Sequence, residues 1–377
     1  MAGVYIHIPF CHGKCAYCDF YSLGAPVASL MRRYVSALRT EWSLRADELA
    51  GSDISTVYIG GGTPSTLPLP LLRQIVEALE EGGIDARSLE EFTIEANPED
   101  LTGEWLDAVR GLGINRVSIG IQSFSDRELE CVSRRHTALR AEEALAVLSE
   151  SGMNYSADLI YGLPGQTLRD WQTNLEKLIG FRPPHFSAYL LSYEPGTPLY
   201  ARLQRGEVVE ATDFLAEEMY HVLCQMSLDA GYRHYEISAF GQPGYEARHN
   251  SGYWNLTPYL GLGCAAHSLS PGGERVFNPS NILEYLRKLE NNATAFEQDA
   301  ESDTDRLNDY IITSLRTDAG LSIEFAGNRW GEPVVNRLLD AARPFVVGGR
   351  LEIANGRVRI PEHNWLTADA ILRELIF

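Results

Sequence analysis

Three cysteines stand within eight residues, in Cys11-His12-Gly13-Lys14-Cys15-Ala16-Tyr17-Cys18. Their spacing is C-x3-C-x2-C, directly after the apolar run Val4-Tyr5-Ile6-His7-Ile8. The whole chain has only six cysteines in 377 residues, so half of them occupy this one loop. A thiolate is the soft ligand that iron–sulfur clusters use. Three thiolates on a cubane [4Fe–4S] cluster leave one iron without a protein ligand. That iron can take an external chelator, and the amino and carboxylate groups of S-adenosylmethionine (SAM) suit it.

Other readings of the three cysteines are open at this point. A disulfide framework fits poorly, because the local number is odd and no signal peptide precedes them. A structural zinc site needs a fourth ligand, which His7 or His12 supplies in principle. The spacings also put all three on one helix face, but Pro9 and Gly13 favour a loop.

The elements that would carry this loop alternate. Strands are expected at Val4–Ile8, Ser55–Ile59, Glu91–Ala96, Asn115–Ile121, Asn154–Tyr161 and His185–Leu191. Helices are expected at 27–50, Pro68–Glu81, Thr102–Arg110, 126–133, 138–151 and Leu168–Ile179. Thr102 reads as an N-cap. Alternation at this spacing implies an α/β fold with a parallel sheet and right-handed crossovers. Ligands gather at the carboxyl ends of such strands. The suspicious residues fall there repeatedly: cysteines after strand one, Gly60-Gly61-Gly62 after two, Glu95 ending three, Gln122 after four. Glycines let backbone approach a ligand closely. Glu95 and Asp158 suit an ammonium or ribose hydroxyls, Gln122 both donates and accepts, and Arg134 or Arg135 suits a carboxylate.

Composition bounds the function. Lys and Arg total 32 against 51 Asp and Glu, a net charge of −19. Such acidity disfavours nucleic acid and anionic lipid surfaces. No stretch reaches the roughly 18 apolar residues of a membrane span, and the N-terminus has no signal-like run. The expectation is a cytoplasmic protein of one large and one smaller domain.

The pattern resembles the radical SAM enzymes, and within them the HemN/HemW group. The resemblance rests on Tyr5-Ile6-His7-Ile8-Pro9-Phe10-Cys11, the C-x3-C-x2-C loop, Gly-Gly-Gly-Thr-Pro-Ser at 60–65 and Asp158-Leu159-Ile160-Tyr161-Gly162-Leu163-Pro164-Gly165-Gln166-Thr167. It runs over essentially the whole chain. It implies a partial (βα)6 barrel over 1–235, a connecting region over 236–300 and a small C-terminal α+β domain over 301–377. It implies Cys11, Cys15 and Cys18 as ligands of a [4Fe–4S] cluster. Tyr5, Gly61, Gly62, Thr63, Glu95, Gln122, Arg134 and Asp158 match positions that hold SAM. Arg134 would take the methionine carboxylate, Gln122 and Asp158 would face the ribose, and Tyr17 would lie against the adenine. The family's chemistry splits SAM with one electron into methionine and a 5′-deoxyadenosyl radical.

Within the group, coproporphyrinogen III oxidases carry a fourth cysteine two residues after the third. Here that place is Phe20, in Cys18-Asp19-Phe20-Tyr21, and only ten residues precede Cys11. Both features resemble the heme-chaperone branch, as does His249-Asn250-Ser251-Gly252-Tyr253-Trp254, which matches its H-N-x-x-Y-W stretch. The resemblance therefore implies heme as a further cofactor, with His249 as candidate iron ligand and His267 as a second. Around His267 the run Cys264-Ala265-Ala266 departs from the glycines usual there. Target hemoproteins, membrane-bound ones included, are the implied partners, and a homodimer is compatible. The competing functions are coproporphyrinogen III decarboxylation, a radical SAM reaction on another substrate, and a zinc-stabilised protein.

The remaining stretches say less. Asp213–Ala230 reads as an amphipathic helix in which Met219, His221, Cys224 and Met226 pack rather than ligate, and Cys131 reads as a structural thiol. A helix is expected at Thr304–Thr317, two strands within Phe345–Ile360 about Asn355-Gly356, and a last helix at about 367–375.

Overall fold

The computed structural model describes residues 1–377. Six parallel strands form in the expected places: β1 (Ala2–Ile8), β2 (Ile54–Gly61), β3 (Glu91–Ala96), β4 (Arg116–Gln122), β5 (Asn154–Tyr161) and β6 (His185–Leu190). They pair in chain order, so each helical crossover returns the chain beside the strand it has just left. Helices Ala28–Arg45, Leu69–Glu81, Gly103–Gly111, Ala138–Ser151 and Leu168–Phe181 supply those crossovers. Thr102 caps its helix as expected, its hydroxyl accepting from the Trp105 N–H.

Strand side chains alternate between two faces, and here the faces differ in chemistry. Val4, Ile6, Val57, Ile59, Phe92, Ile94, Val117, Ile119, Tyr155, Ala157, Phe186 and Ala188 join one core with the crossover helices. The intervening positions are Gly3, Tyr5, His7, Thr56, Tyr58, Glu91, Thr93, Glu95, Arg116, Ser118, Ser156, Asp158, His185 and Ser187. They bond one another across the barrel interior, as in Tyr58–Glu95, Ser118–Asp158 and Ser156–His185. The barrel is therefore apolar outside and polar within.

The sheet continues past these six. It gains β7 (Arg233–Glu236), β8 (Ala239–Gly241), β9 (Tyr259–Leu262), β10 (His267–Leu269), β11 (Arg275–Phe277) and β12 (Glu297–Gln298). The order is β12-β11-β10-β9-β1-β2-β3-β4-β5-β6-β8-β7. β9 lies parallel to β1, while β8 is antiparallel to β6. The two end strands do not pair with each other, so the barrel stays open. Residues 236–300, expected as a connector, thus extend the sheet at both edges. In the C-terminal region, Phe345 lies in the last turn of a helix (Glu332–Val347) rather than starting a strand. The hairpin is shorter, Glu352–Ala354 and Arg357–Arg359, and turns at Asn355 and Gly356, both with positive φ (51° and 71°).

A buried ion pair holds the β9 edge to the first crossover helix. Glu41 and Arg45 are fully buried and bonded at 2.9 Å. Glu41 also accepts from the Gly263 N–H, Asn278 Nδ2 and the Tyr285 hydroxyl, each at 2.7 Å. Arg45 donates to the Gly261 carbonyl and Ser268 Oγ, both at 3.2 Å. Arg45 also pairs with Glu48 (2.8 and 3.0 Å), so removing Glu41 leaves Arg45 one carboxylate but strands the buried donors of Gly263, Asn278 and Tyr285. Glu41→Ala is expected to lower stability by roughly 3–5 kcal/mol, measured by denaturant unfolding. A loss near zero would contradict this account of the edge.

Candidate functional site

The cysteine loop begins where β1 ends, and the glycine turn after β2 seats it. Backbone pairing between β1 and β2 continues beyond both strands: the Gly62 N–H donates to the Ile8 carbonyl (2.9 Å) and the Thr63 N–H to the Phe10 carbonyl (2.7 Å). A Cβ on Gly62 would stand 2.8 Å from the Phe10 carbonyl oxygen. Gly61 adopts φ +112°, and a Cβ there would meet the His7 ring at 2.5 Å. Two glycines are therefore obligatory for the close approach. On its far side the loop is tied by the Ala16 N–H to the Val132 carbonyl (3.0 Å) and by the Leu199 N–H to the Ala16 carbonyl (2.8 Å). Cys11 is buried; Cys15 and Cys18 are partly exposed. Burial pushes the Cys11 and Cys18 thiols up from their ordinary values.

The other strand ends converge on this loop. Arg134 lies just after β4 and donates to Cys15 Sγ (3.4 Å), Asn97 Oδ1 (3.0 Å) and the Gly120 carbonyl (2.6 Å). Asn97 in turn donates to Thr63 Oγ1 (3.3 Å), and the Thr63 hydroxyl lies 3.5 Å from Cys11 Sγ. One hydrogen-bonded chain thus joins the ends of β2, β3 and β4 to two of the three cysteines. Of the two arginines, Arg134 points into the site and Arg135 is exposed. Asn97, in Ala96-Asn97-Pro98, is a member the sequence reading missed. Its only signal is its position immediately after a strand ending in this site.

Glu95 accepts from the Tyr58 hydroxyl (2.8 Å) and the Gly61 N–H (3.1 Å). Burial pushes its carboxyl up to about 7, against those two hydrogen bonds. Asp158 accepts from the Ser118 hydroxyl (3.1 Å), and burial raises it to about 6. Gln122 takes φ +66° where a bulge ends the β4–β5 ladder. Its amide lies over Gly120, where a Cβ would be 2.8 Å from Nε2. Tyr17 packs on the small apolar cluster of Ala16, Val132 and Leu199. Tyr5 lies deeper, its hydroxyl 3.0 Å from His7 Nδ1.

This donor set fits an iron–sulfur cluster and an amino-acid chelator. Three thiols share one loop, a glycine cradle admits no Cβ, and Arg134 Nε is buried without a partner. Two carboxylates and a fixed amide stand beside it.

His249 lies elsewhere. Helix Arg248–Trp254 closes the opposite, amino-terminal end of the barrel, and Glu91 caps it by accepting from the Arg248 and His249 N–H groups (2.7 and 3.2 Å). His249 Nδ1 bonds Thr56 Oγ1 and Nε2 bonds the Tyr253 hydroxyl, both at 2.9 Å. The ring stacks on Tyr58 at 5.3 Å, and burial lowers its pKa to about 4. Both nitrogens are engaged and the ring is buried, so an axial role for His249 requires it to give up the Thr56 or the Tyr253 hydrogen bond. His267, on β10, is exposed.

A family profile described as Radical SAM superfamily matches residues 5–178. The heme chaperone HemW of Lactococcus lactis is 33% identical over 87% of this chain and 85% of its own length. HemW of Escherichia coli is 32% identical over 98% of this chain and 97% of its own. The chain belongs to the HemW family of radical SAM proteins. The solved structure of coproporphyrinogen III oxidase (HemN) from Escherichia coli superposes with a TM-score of 0.85, at 22% identity, over all of this chain and 90% of that one. That likeness confirms the α/β radical SAM fold of this HemW relative.

The raised carboxyls set a sign for pH. Glu95 binds a proton more tightly folded than unfolded, so its contribution to stability falls as pH rises from about 4.5 to about 7. The stability of Glu95→Gln relative to wild type should shift in the variant's favour across that window, by about 3 kcal/mol in ligand-free protein. Thermal unfolding at several pH values measures it. A shift in the opposite direction would contradict the buried-carboxyl assignment.

Proposed function

We propose that this chain is a heme chaperone: it carries a [4Fe–4S] cluster on Cys11, Cys15 and Cys18, binds SAM and heme, and delivers heme to target hemoproteins. The observation that carries the reading is identity of 32–33% to curated HemW heme chaperones over nearly the whole chain. A second observation agrees. The position after the cysteine loop that would hold a fourth thiolate is Phe20, 70% exposed and unable to ligate.

In this reading Arg134 leaves Asn97 or Gly120 to hold the methionine carboxylate, a bidentate match for its planar fork. Glu95 accepts from the amino group. Gln122 and Asp158 hold the ribose hydroxyls, Tyr17 covers the adenine, and Tyr5 orients His7 beneath the site. Gly61, Gly62 and Thr63 line it with backbone. The bound cluster and SAM supply one-electron chemistry; the chain's residues position them and keep water out. We assign the heme iron to His267, whose ring is accessible, and give His249 the role of fixing the barrel floor. Residues 1–235 act as the cluster and SAM unit, 236–300 as the heme-facing segment and 301–377 as an accessory domain. No helix of the chain is long and apolar enough to cross a membrane. A cytoplasmic carrier meeting membrane-bound acceptors agrees with that.

The test is anaerobic heme titration of the cluster-loaded chain, read by absorbance, followed by transfer to an apo-hemoprotein. Wild type should bind heme saturably, with transfer, and without converting coproporphyrinogen III. His267→Ala should bind about tenfold more weakly, and His249→Gln should bind as wild type does. No saturable binding by folded, cluster-loaded wild type would overturn the chaperone reading. Weak binding by His249→Gln alone would return the ligand to His249.

A further inference from the structure

Cys224, His234 and Glu362 come from three separate elements: helix Asp213–Asp229, strand β7 and the short 3-10 helix Glu362–Thr367. Their Sγ, Nδ1 and Oε atoms all lie within 4.8 Å of one another. Cys224 was expected to pack, because its helix alone shows neither partner. We propose that these three residues form a zinc-class divalent metal site that clasps the C-terminal domain to the end of the sheet.

The convergence of a sulfur, a nitrogen and an oxygen argues for a cation. His234 Nε2 faces the Ile237 carbonyl at 3.4 Å, the outer partner that metal-binding imidazoles commonly have. A hydrogen on Nε2 leaves Nδ1 as a bare lone pair. Nδ1 lies 2.9 Å from Glu362 Oε1 and 3.9 Å from Cys224 Sγ. An Nδ1–H would by itself pair with the Glu362 carboxylate; the Cys224 sulfur converging on the same point adds the third donor that makes this cluster suit a cation. A divalent ion there meets one sulfur, one nitrogen and one oxygen, and a water completes a tetrahedron.

The site is also built to hold its shape. The His234 ring is sandwiched, stacked on Phe240 at 4.1 Å and met edge-on by Trp365 at 4.5 Å. Trp365 sits on the same short helix as Glu362, so ring and carboxylate are positioned together. The Tyr220 hydroxyl is buried without a hydrogen-bond partner, on the same helix one turn before Cys224. A metal-bound thiolate is a better acceptor for it than a thiol. Half of the Glu362 side chain is exposed, which leaves an entry path and room for the water. Binding converts the Cys224 thiol to a thiolate on the metal and releases its proton to solvent, with no change of oxidation state.

The test uses the full chain with its cluster loaded, dialysed against zinc sulfate and then against metal-free buffer. Zinc and iron are counted, and X-ray absorption at the zinc edge reports the ligands. Wild type should retain about one zinc per chain, with a single sulfur near 2.3 Å. Cys224→Ala should lose it at unchanged iron content. Glu362→Gln, at an exposed position that does not threaten folding, should weaken zinc about ten- to a hundredfold. Under a tenth of an equivalent of zinc in wild type would overturn the proposal. So would an edge showing no sulfur or several, or equal zinc in Cys224→Ala.

Discussion

The site depends on how closely two adjacent backbones approach. β1 and β2 pair in parallel, and their ladder runs on past the strands so that Gly62 and Thr63 bond the Ile8 and Phe10 carbonyls. That extension places Cys11 against Thr63 and fixes where the cysteine loop starts. It is possible only without side chains at the turn, since a single methyl on Gly62 would collide with the Phe10 carbonyl. Everything else at the mouth is arranged against this seat. Arg134 spans from Gly120 to Cys15, and Asn97 links it back to Thr63.

The polar interior of the barrel follows from the same strands. Period-two alternation sends apolar side chains to the helices and polar ones inward. Inward groups must then satisfy one another, and they do so in layers from His249 and Glu91 at the floor to Glu95 at the mouth. Burial raises Glu95 and Asp158 toward neutrality, so these acids stand ready to ionise against a cationic ligand. The floor helix bearing H-N-x-x-Y-W is part of this packing: Glu91 caps it, and its histidine bonds Thr56 and Tyr253.

Much of this was legible in the sequence because it is local. Glu91–Ala96 and Asn154–Tyr161 form as strands at the expected bounds, because each alternates cleanly and is flanked by turn residues. The convergence of Cys11, Gly61, Glu95 and Gln122 was readable from their shared place at strand ends. What could not be read is set by contacts distant in sequence. Edge strands of two to four residues carry no periodicity of their own, so β7 to β12 were missed. Glu41 is an ordinary helix residue until Gly263, Asn278 and Tyr285 surround it. His249 carries the motif of a ligand, yet the topology places it at the end of the barrel opposite the cysteines. Cys224 meets His234 and Glu362 only when the C-terminal domain has docked.

The most direct measurement is the iron content of Gly62→Ala after anaerobic reconstitution, with folding checked by circular dichroism. If the close backbone approach seats the cysteine loop, the variant remains folded but retains well under half of the wild-type iron, and its SAM binding falls in parallel. Full iron retention with unchanged SAM affinity would contradict the account, because the loop would then be holding its cluster without the glycine seat.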